Sequence, residues 1–136
     1  MITGVNHVTL SVSDVDRSIN FYMDLLGFAI RLRGPTSAYL EAGTLWLALV
    51  ADPEVRRRPL PEYTHVAFSV APGDLQILKD TVLRAGVAQW QEPETPQSFY
   101  FLDPDGHKLE LHSGDLQSRL RDRDREKPSG VTINSQ

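Results

Sequence analysis

The chain repeats one short segment of itself, and this repeat constrains its fold more than any other feature. Residues 6–12 read NHVTLSV and residues 64–70 read THVAFSV, so four of the seven positions are identical at an offset of 58 residues, from 6 to 64. Both segments are rich in β-branched residues and place apolar side chains at alternate positions, which is typical of half-buried strands. We therefore expect two similar modules, each beginning with one of these strands.

A helical pattern follows each repeated strand. The first helix can be capped by Ser13 or Asp14 and should end before Gly27. The second can be capped by Asp74 and should end before Gly86. Apolar residues at helical spacing form a stripe in each helix: Val15, Ile19, Tyr22 and Leu26 in the first, and Leu75, Leu78, Val82 and Ala85 in the second.

Three further strands are predicted in each half, which gives an α+β chain of two βαβββ modules. Module one should span about residues 1–52 and module two about 63–113, within a single domain of 1–136 joined by a linker at 52–62. A charged segment at about 115–127 predicts a C-terminal helix, and residues 129–136 are expected to be loosely ordered. The predicted strands are Ala29–Arg33, Ala38–Glu41 and Leu45–Val50 in the first half, and Ala88–Gln91, Ser98–Leu102 and Lys108–His112 in the second, where Asp103–Gly106 is a strong turn signal.

Composition narrows the class of function. The 136 residues, 40% of them hydrophobic, are enough for one domain with a core, and the net charge of −4 gives no basic footprint for nucleic acid or an anionic membrane. The absence of cysteine excludes disulfides, thiolate metal sites and a cysteine nucleophile. Because no signal peptide or membrane-length apolar run is evident, we expect a cytoplasmic protein without membrane or nucleic-acid partners.

Strand alternation predicts that one helix-free face of the sheets collects polar side chains. A single histidine on such a face is usually only a solvated polar residue. Two histidines at matching positions, His7 and His65, together with Glu110, instead favour a divalent metal site with open positions for a substrate. The position in module one that matches Glu110 is Ala48, so one three-ligand site is expected rather than two. The face as a whole is expected to carry His7, Thr9, His65, Ser98, Tyr100 and Glu110.

With these residues in place, the chain resembles the vicinal oxygen chelate superfamily, which is built from paired βαβββ modules. More narrowly, residues 1–128 resemble the fosfomycin-resistance thiol transferases. The resemblance is carried by a series of short motifs in order: Gly4–Leu10, Phe21-Tyr22, Leu25–Phe28, Ala38–Leu40, Leu45–Leu47, Tyr63–His65, Tyr100–His107, and Leu109–Gly114 with Arg119.

The resemblance implies addition of a small thiol to the epoxide of fosfomycin. It implies that His7, His65 and Glu110 bind the metal, typically Mn²⁺, with Zn²⁺, Ni²⁺ and Mg²⁺ as other possibilities. It also implies a homodimer with each site shared between the chains. By the same resemblance, Thr9 and Tyr100 take the catalytic positions, Arg119 and Ser98 bind the phosphonate, and Tyr39 and Trp46 line the site. Without it, Arg119 is one arginine on a charged helix, and the aromatic residues are ordinary packing residues.

Departures from that family concern the thiol. The glutathione-using branch has a lysine soon after the residue that matches Trp90 and then a loop that binds potassium. Here residues 91–97 contain no lysine and include Glu92 and Glu94, which argues against a K⁺ site and predicts poor use of glutathione. Features such as Lys127-Pro128 are closer to the bacillithiol-using branch. The hydrolytic branch uses a glutamate base in the region where this chain has Thr36, which argues against hydrolysis. Two alternatives stay open: an enzyme acting on another small oxyanion, and a non-catalytic drug-binding protein.

Overall fold

The computed structural model describes residues 1–134, which form two β-sheets with three α-helices. Part of the C-terminal end expected to be loosely ordered, residues 135–136, lies outside the described residues. Among residues 1–134 there is no helix long and apolar enough to cross a membrane. The strands are β1 (Val8–Val12), β2 (Ala29–Arg33), β3 (Ser37–Ala42), β4 (Leu45–Ala51), β5 (Val66–Ser69), β6 (Ser98–Leu102) and β7 (Lys108–His112), and the helices are α1 (Val15–Asn20), α2 (Pro72–Arg84) and α3 (Leu116–Glu126).

The two sheets repeat one topology, as the internal repeat predicts. The first has the order β1-β4-β3-β2 and the second the order β5-β7-β6. In each, the repeated strand lies at the edge and pairs in parallel with the last strand of its module, β1 with β4 and β5 with β7. The other neighbours are antiparallel. The α+β fold class is confirmed.

Strand register puts Ala48 and Glu110 at equivalent positions of the two sheets. Thr9 lies opposite Ala48 in the first sheet, and Ala67 lies opposite Glu110 in the second. The carboxylate is therefore present in one module and replaced by a methyl group in the other, as the sequence predicts.

The first helix begins where the sequence predicts but does not remain α-helical. The Asp14 side chain accepts a hydrogen bond from the backbone N–H of Arg17, so Asp14 rather than Ser13 is the cap. After Asn20 the chain widens into a π-helical segment, Phe21–Leu25, and leaves the helix at Gly27, whose φ of 77° favours glycine.

Two local predictions in module two are wrong. Residues 88–91 form no regular strand. Their backbone is joined to β6 by one hydrogen bond, from the Leu102 N–H to the Ala88 carbonyl. The indole of Trp90 instead donates to the Leu109 carbonyl, so a side chain replaces backbone pairing across the sheet. Asp74 is not the cap of α2, because the helix begins at Pro72, whose fixed φ suits the first helical position.

Helix α3 lies one residue inside each end of the segment 115–127 that the sequence predicts. Asp115 caps α3 in a reciprocal capping box with Ser118, and Lys127 ends it in the left-handed region at φ 47°. Hydrogen bonds from the Ser118 backbone N–H and side chain lower the pKa of the Asp115 carboxyl, so the cap stays ionised over the neutral range. This cap fixes where the helix carrying Arg119 begins.

The Asp-Pro-Asp-Gly turn between β6 and β7 attaches module two to module one. The Tyr22 hydroxyl donates to Asp103 at 2.8 Å, and Asp103 also accepts backbone N–H groups from Asp105 and His107. Burial raises the pKa of Tyr22 well above its ordinary value, and the charge of Asp103 adds to the effect, so the phenol remains a donor. His107 Nε2 lies 2.6 Å from the carbonyl of Ser11 in β1. The hydrophobic core runs through both modules: Leu10, Val12, Ile19, Leu40, Leu47, Leu49, Phe68, Val82, Phe99, Phe101, Leu109 and Leu111.

Candidate active site

His65 and Glu110 meet at the start of the second sheet. His65 directly precedes β5, one residue outside the strand in which it was predicted, and Glu110 lies in the middle of β7. Parallel pairing of these strands brings the His65 Nε2 to 2.9 Å from the Glu110 Oε1. The other ring nitrogen, Nδ1, lies 2.9 Å from the carbonyl oxygen of Tyr63. The imidazole is thus held between a backbone acceptor and a carboxylate.

This donor pair fits a divalent cation. A histidine ligand ordinarily donates its second ring N–H to a carbonyl or carboxylate, which fixes the tautomer and directs the other nitrogen at the metal. The contact of His65 Nδ1 with Tyr63 has that arrangement, and Nε2 points at a carboxylate oxygen. An imidazole nitrogen and a carboxylate oxygen suit Mn²⁺, Zn²⁺ and related ions. Within residues 1–134 of one chain, however, no group of three acidic or histidine side chains is placed to hold a metal together.

The second oxygen of Glu110 is also held. Ser98 in β6 donates its hydroxyl to Glu110 Oε2 at 2.8 Å, and the same hydroxyl oxygen lies 2.9 Å from Nδ1 of His112. His112 Nδ1 is itself 3.3 Å from Glu110 Oε2. Ser98 and Glu110 are both buried, so these contacts form away from bulk water.

Aromatic side chains surround the imidazole of His65. The ring centroids of Tyr63, Trp90 and Tyr100 lie 5.1, 5.2 and 5.9 Å from that of His65. Burial raises the pKa of Tyr100, and the nearby charge of Glu110 contributes to the same shift. The Tyr100 phenol is therefore a proton-bearing donor at neutral pH.

Arg119 joins this group from helix α3. It is partly buried and lines one pocket with the carboxylate, the histidines and the phenol. No ion pair involves Arg119 within the part of the chain that the structure describes, whereas Arg123 and Arg125 on the same helix pair with Glu126 and Asp122. The pocket has a volume of about 350 Å³, and its polar lining is Tyr63, His65, Ser69, Glu94, Thr95, Ser98, Tyr100, Glu110, His112 and Arg119.

The remaining predicted residues lie together on the first sheet. His7 directly precedes β1 and stacks on Trp46, with ring centroids 4.3 Å apart, and its Nδ1 is 2.8 Å from the Asn6 side-chain oxygen. Tyr39 packs edge-on against Trp46 at 5.1 Å. Thr9 is exposed on β1, and the Tyr39 and Trp46 residues are 38% and 37% exposed. These four residues form an open aromatic and polar surface.

The predicted face is therefore divided between two places in one chain. His65, Ser98, Tyr100, Glu110 and Arg119 share a pocket, which we call the carboxylate half-site. His7, Thr9, Tyr39 and Trp46 make up what we call the aromatic half-site on the first sheet.

Three further residues, which had no role predicted from the sequence, contact members of the carboxylate half-site: His112, Trp90 and Tyr63. His112 lies two positions after Glu110 in the same strand, so the alternation that selected Glu110 also places His112 on its face. Trp90 and Tyr63 reach His65 through loop segments, for which strand alternation gives no signal.

Comparison with known proteins agrees with this architecture. The sequence model of the Glyoxalase/Bleomycin resistance protein/Dioxygenase superfamily matches residues 4–111. Glutathione transferase FosA of Serratia marcescens is 47% identical to the chain, covering 99% of this chain and 98% of FosA. Metallothiol transferase FosB of Staphylococcus epidermidis is 42% identical, covering 88% of this chain and 90% of FosB.

A solved structure has the same fold. The fosfomycin resistance protein FosX of Listeria monocytogenes, complexed with Mn(II) and sulfate, superimposes with a TM-score of 0.77 at 26% identity, covering 90% of this chain and 98% of FosX. The predicted resemblance is thus confirmed over nearly the whole chain. The protein belongs to the Glyoxalase/Bleomycin resistance protein/Dioxygenase superfamily and, within it, to the family that contains the FosA and FosB transferases.

Proposed function

We propose that this protein adds a small thiol to the epoxide of fosfomycin with the help of a divalent metal, and thereby gives resistance to the antibiotic. The observation that carries the proposal is the 2.9 Å pair of His65 and Glu110 in one pocket with Arg119 and Tyr100. The names of its relatives, a glutathione transferase, a metallothiol transferase and a fosfomycin resistance protein, support the same substrate.

His65 and Glu110 hold the metal in this proposal, and His7 completes the set. Mn²⁺ is the first choice, because the related FosX was solved with Mn(II). When bound, the ion supplies a Lewis acid that stabilises negative charge on the epoxide oxygen. His65 is oriented for this task by its bond to the Tyr63 carbonyl, and Glu110 by its bond to Ser98.

A homodimer completes the site. The third proposed metal ligand, His7, belongs to the aromatic half-site, whereas His65 and Glu110 belong to the carboxylate half-site. Pairing two copies about a two-fold axis would place the aromatic half-site of each chain on the carboxylate half-site of the other, giving two equivalent sites. The exposed Trp46 and Tyr39 side chains are a surface suited to such an interface.

The side chains divide the work of binding and proton transfer. Arg119 offers a fork of donors that complements the phosphonate, and no acidic side chain within residues 1–134 forms an ion pair with it. Tyr100 carries a proton at its phenol oxygen and Thr9 carries one at its hydroxyl, so both can donate to substrate oxygens. In the reaction a carbon–sulfur bond forms, one carbon–oxygen bond of the epoxide breaks, and the ring oxygen takes a proton to become a hydroxyl. The proton of the thiol is released to solvent.

A turnover assay tests this function. Protein supplied with Mn²⁺ is incubated with fosfomycin and, in separate reactions, glutathione, L-cysteine, bacillithiol or no thiol, and products are followed by phosphorus NMR. We expect a phosphonate adduct in at least one thiol reaction, dependent on metal and lost in Glu110→Ala. A diol formed equally well without thiol would make the protein a hydrolase. Tight binding of unchanged fosfomycin would make it a drug-binding protein.

A further inference from the structure

Three polar side chains that line the pocket of the carboxylate half-site form a line of hydrogen bonds. It consists of His112 at the end of β7, Ser98 at the start of β6 and Glu110 in β7. Ser98 lies directly opposite His112 in the antiparallel pair, and Tyr100 lies opposite Glu110. The register therefore places the small Ser98 hydroxyl between the imidazole and the carboxylate, at 2.9 and 2.8 Å respectively.

The directions of these hydrogen bonds follow from the number of protons available. A serine hydroxyl has one proton, and Ser98 donates it to Glu110 Oε2. Its oxygen can then only accept from His112, so Nδ1 of His112 carries a proton and donates it. The line reads from His112 through Ser98 to Glu110, with a donor and an acceptor matched at each contact.

The Nε2 edge of the His112 ring packs closely against Gly114. A Cβ atom added to Gly114 would lie 2.8 Å from His112 Nε2 and 2.9 Å from the Ser118 hydroxyl oxygen. The backbone conformation of Gly114 does not itself require glycine, because its φ does not lie in the left-handed region. What glycine provides here is room for the imidazole.

Glu110 has a reason to need such support. Its two oxygens face different partners, Oε1 towards His65 and Oε2 towards Ser98, and rotation of the carboxylate would break both contacts at once. A buried carboxylate held at one oxygen presents the other in a fixed direction. Loss of a group that orients a metal ligand in this way typically weakens metal binding about 10- to 100-fold.

We propose that His112 is a positioning residue, which holds Glu110 in its metal-binding orientation through Ser98 and through its own 3.3 Å contact with Glu110 Oε2. This inference rests on the proposed function, in which Glu110 is a metal ligand. It also gives the Ser98 hydroxyl a task inside the protein, since its only proton is donated to Glu110 and is not free for a bound substrate. The role of Ser98 in binding phosphonate remains a prediction from the family resemblance.

Mn²⁺ affinity of metal-free protein, measured by electron paramagnetic resonance of free Mn²⁺, tests the proposal with three variants. His112→Leu removes the donor and should weaken Mn²⁺ binding about 10- to 100-fold. His112→Asn keeps an N–H donor near the position of Nδ1 and should bind Mn²⁺ within about threefold of the wild type. Gly114→Ala keeps the imidazole but displaces it, and should weaken binding in the same direction as His112→Leu. Ser113→Ala, a neighbouring change outside the line, is the control and should leave affinity unchanged.

The outcomes separate this inference from the proposed function. Wild-type affinity in both His112→Leu and Gly114→Ala, with thermal unfolding showing that they are folded, would overturn the positioning role while leaving the metal site intact. A His112→Asn variant as weak as His112→Leu would also overturn it, because the N–H donor would then not be what matters. Failure of the wild type to bind Mn²⁺, Zn²⁺ or Ni²⁺ would overturn the proposed function itself and this inference with it.

Discussion

Nε2 of His65 lies 2.9 Å from Oε1 of Glu110, although the two residues are 45 positions apart in the chain. His7, the repeat partner of His65, does not share this contact; it stacks on Trp46 in the other sheet. The internal repeat thus gives two half-sites with different chemistry, one with a carboxylate and one with aromatic rings. This difference is the reason for proposing a site assembled from two copies of the chain.

Mixing of inactive variants tests the shared site directly. His7→Ala, His65→Ala and Glu110→Ala should each be inactive alone, because each removes a proposed ligand. When His7→Ala and His65→Ala chains are unfolded and refolded together, half of the dimers should be mixed, and each mixed dimer should regain one intact site of two. Activity and metal content should therefore return to about a quarter of the wild-type values.

The matched control for this experiment is a mixture of His65→Ala and Glu110→Ala chains. Both substitutions fall in the carboxylate half-site, so neither site of a mixed dimer is intact and no activity should return. Recovery in neither mixture would mean that each site is built from one chain. Equal recovery in both would mean that His65 and Glu110 of one site come from different chains, against their contact within one chain. Full metal occupancy in a single variant would remove that residue from the ligand set.

Arg119→Ala should weaken fosfomycin binding by about 10- to 150-fold, roughly 1.5–3 kcal/mol, because a charge-assisted contact to the phosphonate is lost. Arg119→Lys should recover only part of this loss, since an ammonium group lacks the planar fork of donors. Arg121→Ala, an exposed position on the same helix, is the control. Calorimetric titration of fosfomycin into protein supplied with Mn²⁺ gives the affinities. Equal affinities for Arg119→Ala and Arg121→Ala would place Arg119 among the ordinary solvated charges.

Glu94→Gln should raise kcat/KM for glutathione about twofold and leave the value for L-cysteine unchanged. Glu94 lines the pocket of the carboxylate half-site. The negative charge of Glu94 repels, through solvent, the excess carboxylate that glutathione carries. Glu92→Gln is the control, because Glu92 is exposed on the same loop but does not line that pocket. Steady-state kinetics with both thiols decide the matter. Glutathione proving the best of the tested thiols, with no effect of Glu94→Gln, would show that this loop does not select the thiol.

Tyr22→Phe should lower the free energy of unfolding by about 1–3 kcal/mol, because the buried Asp103 carboxylate loses a donor. Burial raises the pKa of Asp103, whereas the Tyr22 hydroxyl bond lowers it. The stability supplied by that bond is therefore present when Asp103 is ionised and declines as the pH falls through its pKa. Urea unfolding at neutral and acidic pH should show the larger difference at neutral pH. Tyr39→Phe, at an exposed tyrosine without such a bond, is the control, and an equal loss in both variants would contradict the assignment.

Local sequence patterns predicted strands and helix caps correctly where the interactions that form them are local in the chain. Alternation of apolar residues predicted β6 and β7 with the bounds that the structure has, and the cap at Asp14 followed from residues within one turn. The prediction failed at residues 88–91, where a tertiary hydrogen bond from Trp90 to Leu109 replaces strand pairing. It also failed at Asp74, because Pro72, whose fixed φ suits the first helical position, begins the helix two residues earlier.

By itself, the sequence determined which side chains share a face and which module carries the carboxylate, because strand alternation and the internal repeat depend only on spacing. Those two facts identified His65 and Glu110 as candidate metal ligands. They also showed that Ala48 stands where module one would need a second carboxylate. Only the tertiary structure decided that His7 lies against Trp46 rather than beside His65, because that depends on how two separate sheets are placed. It alone also put Ser98 between His112 and Glu110, because cross-strand register, and not position along the chain, sets which side chains meet.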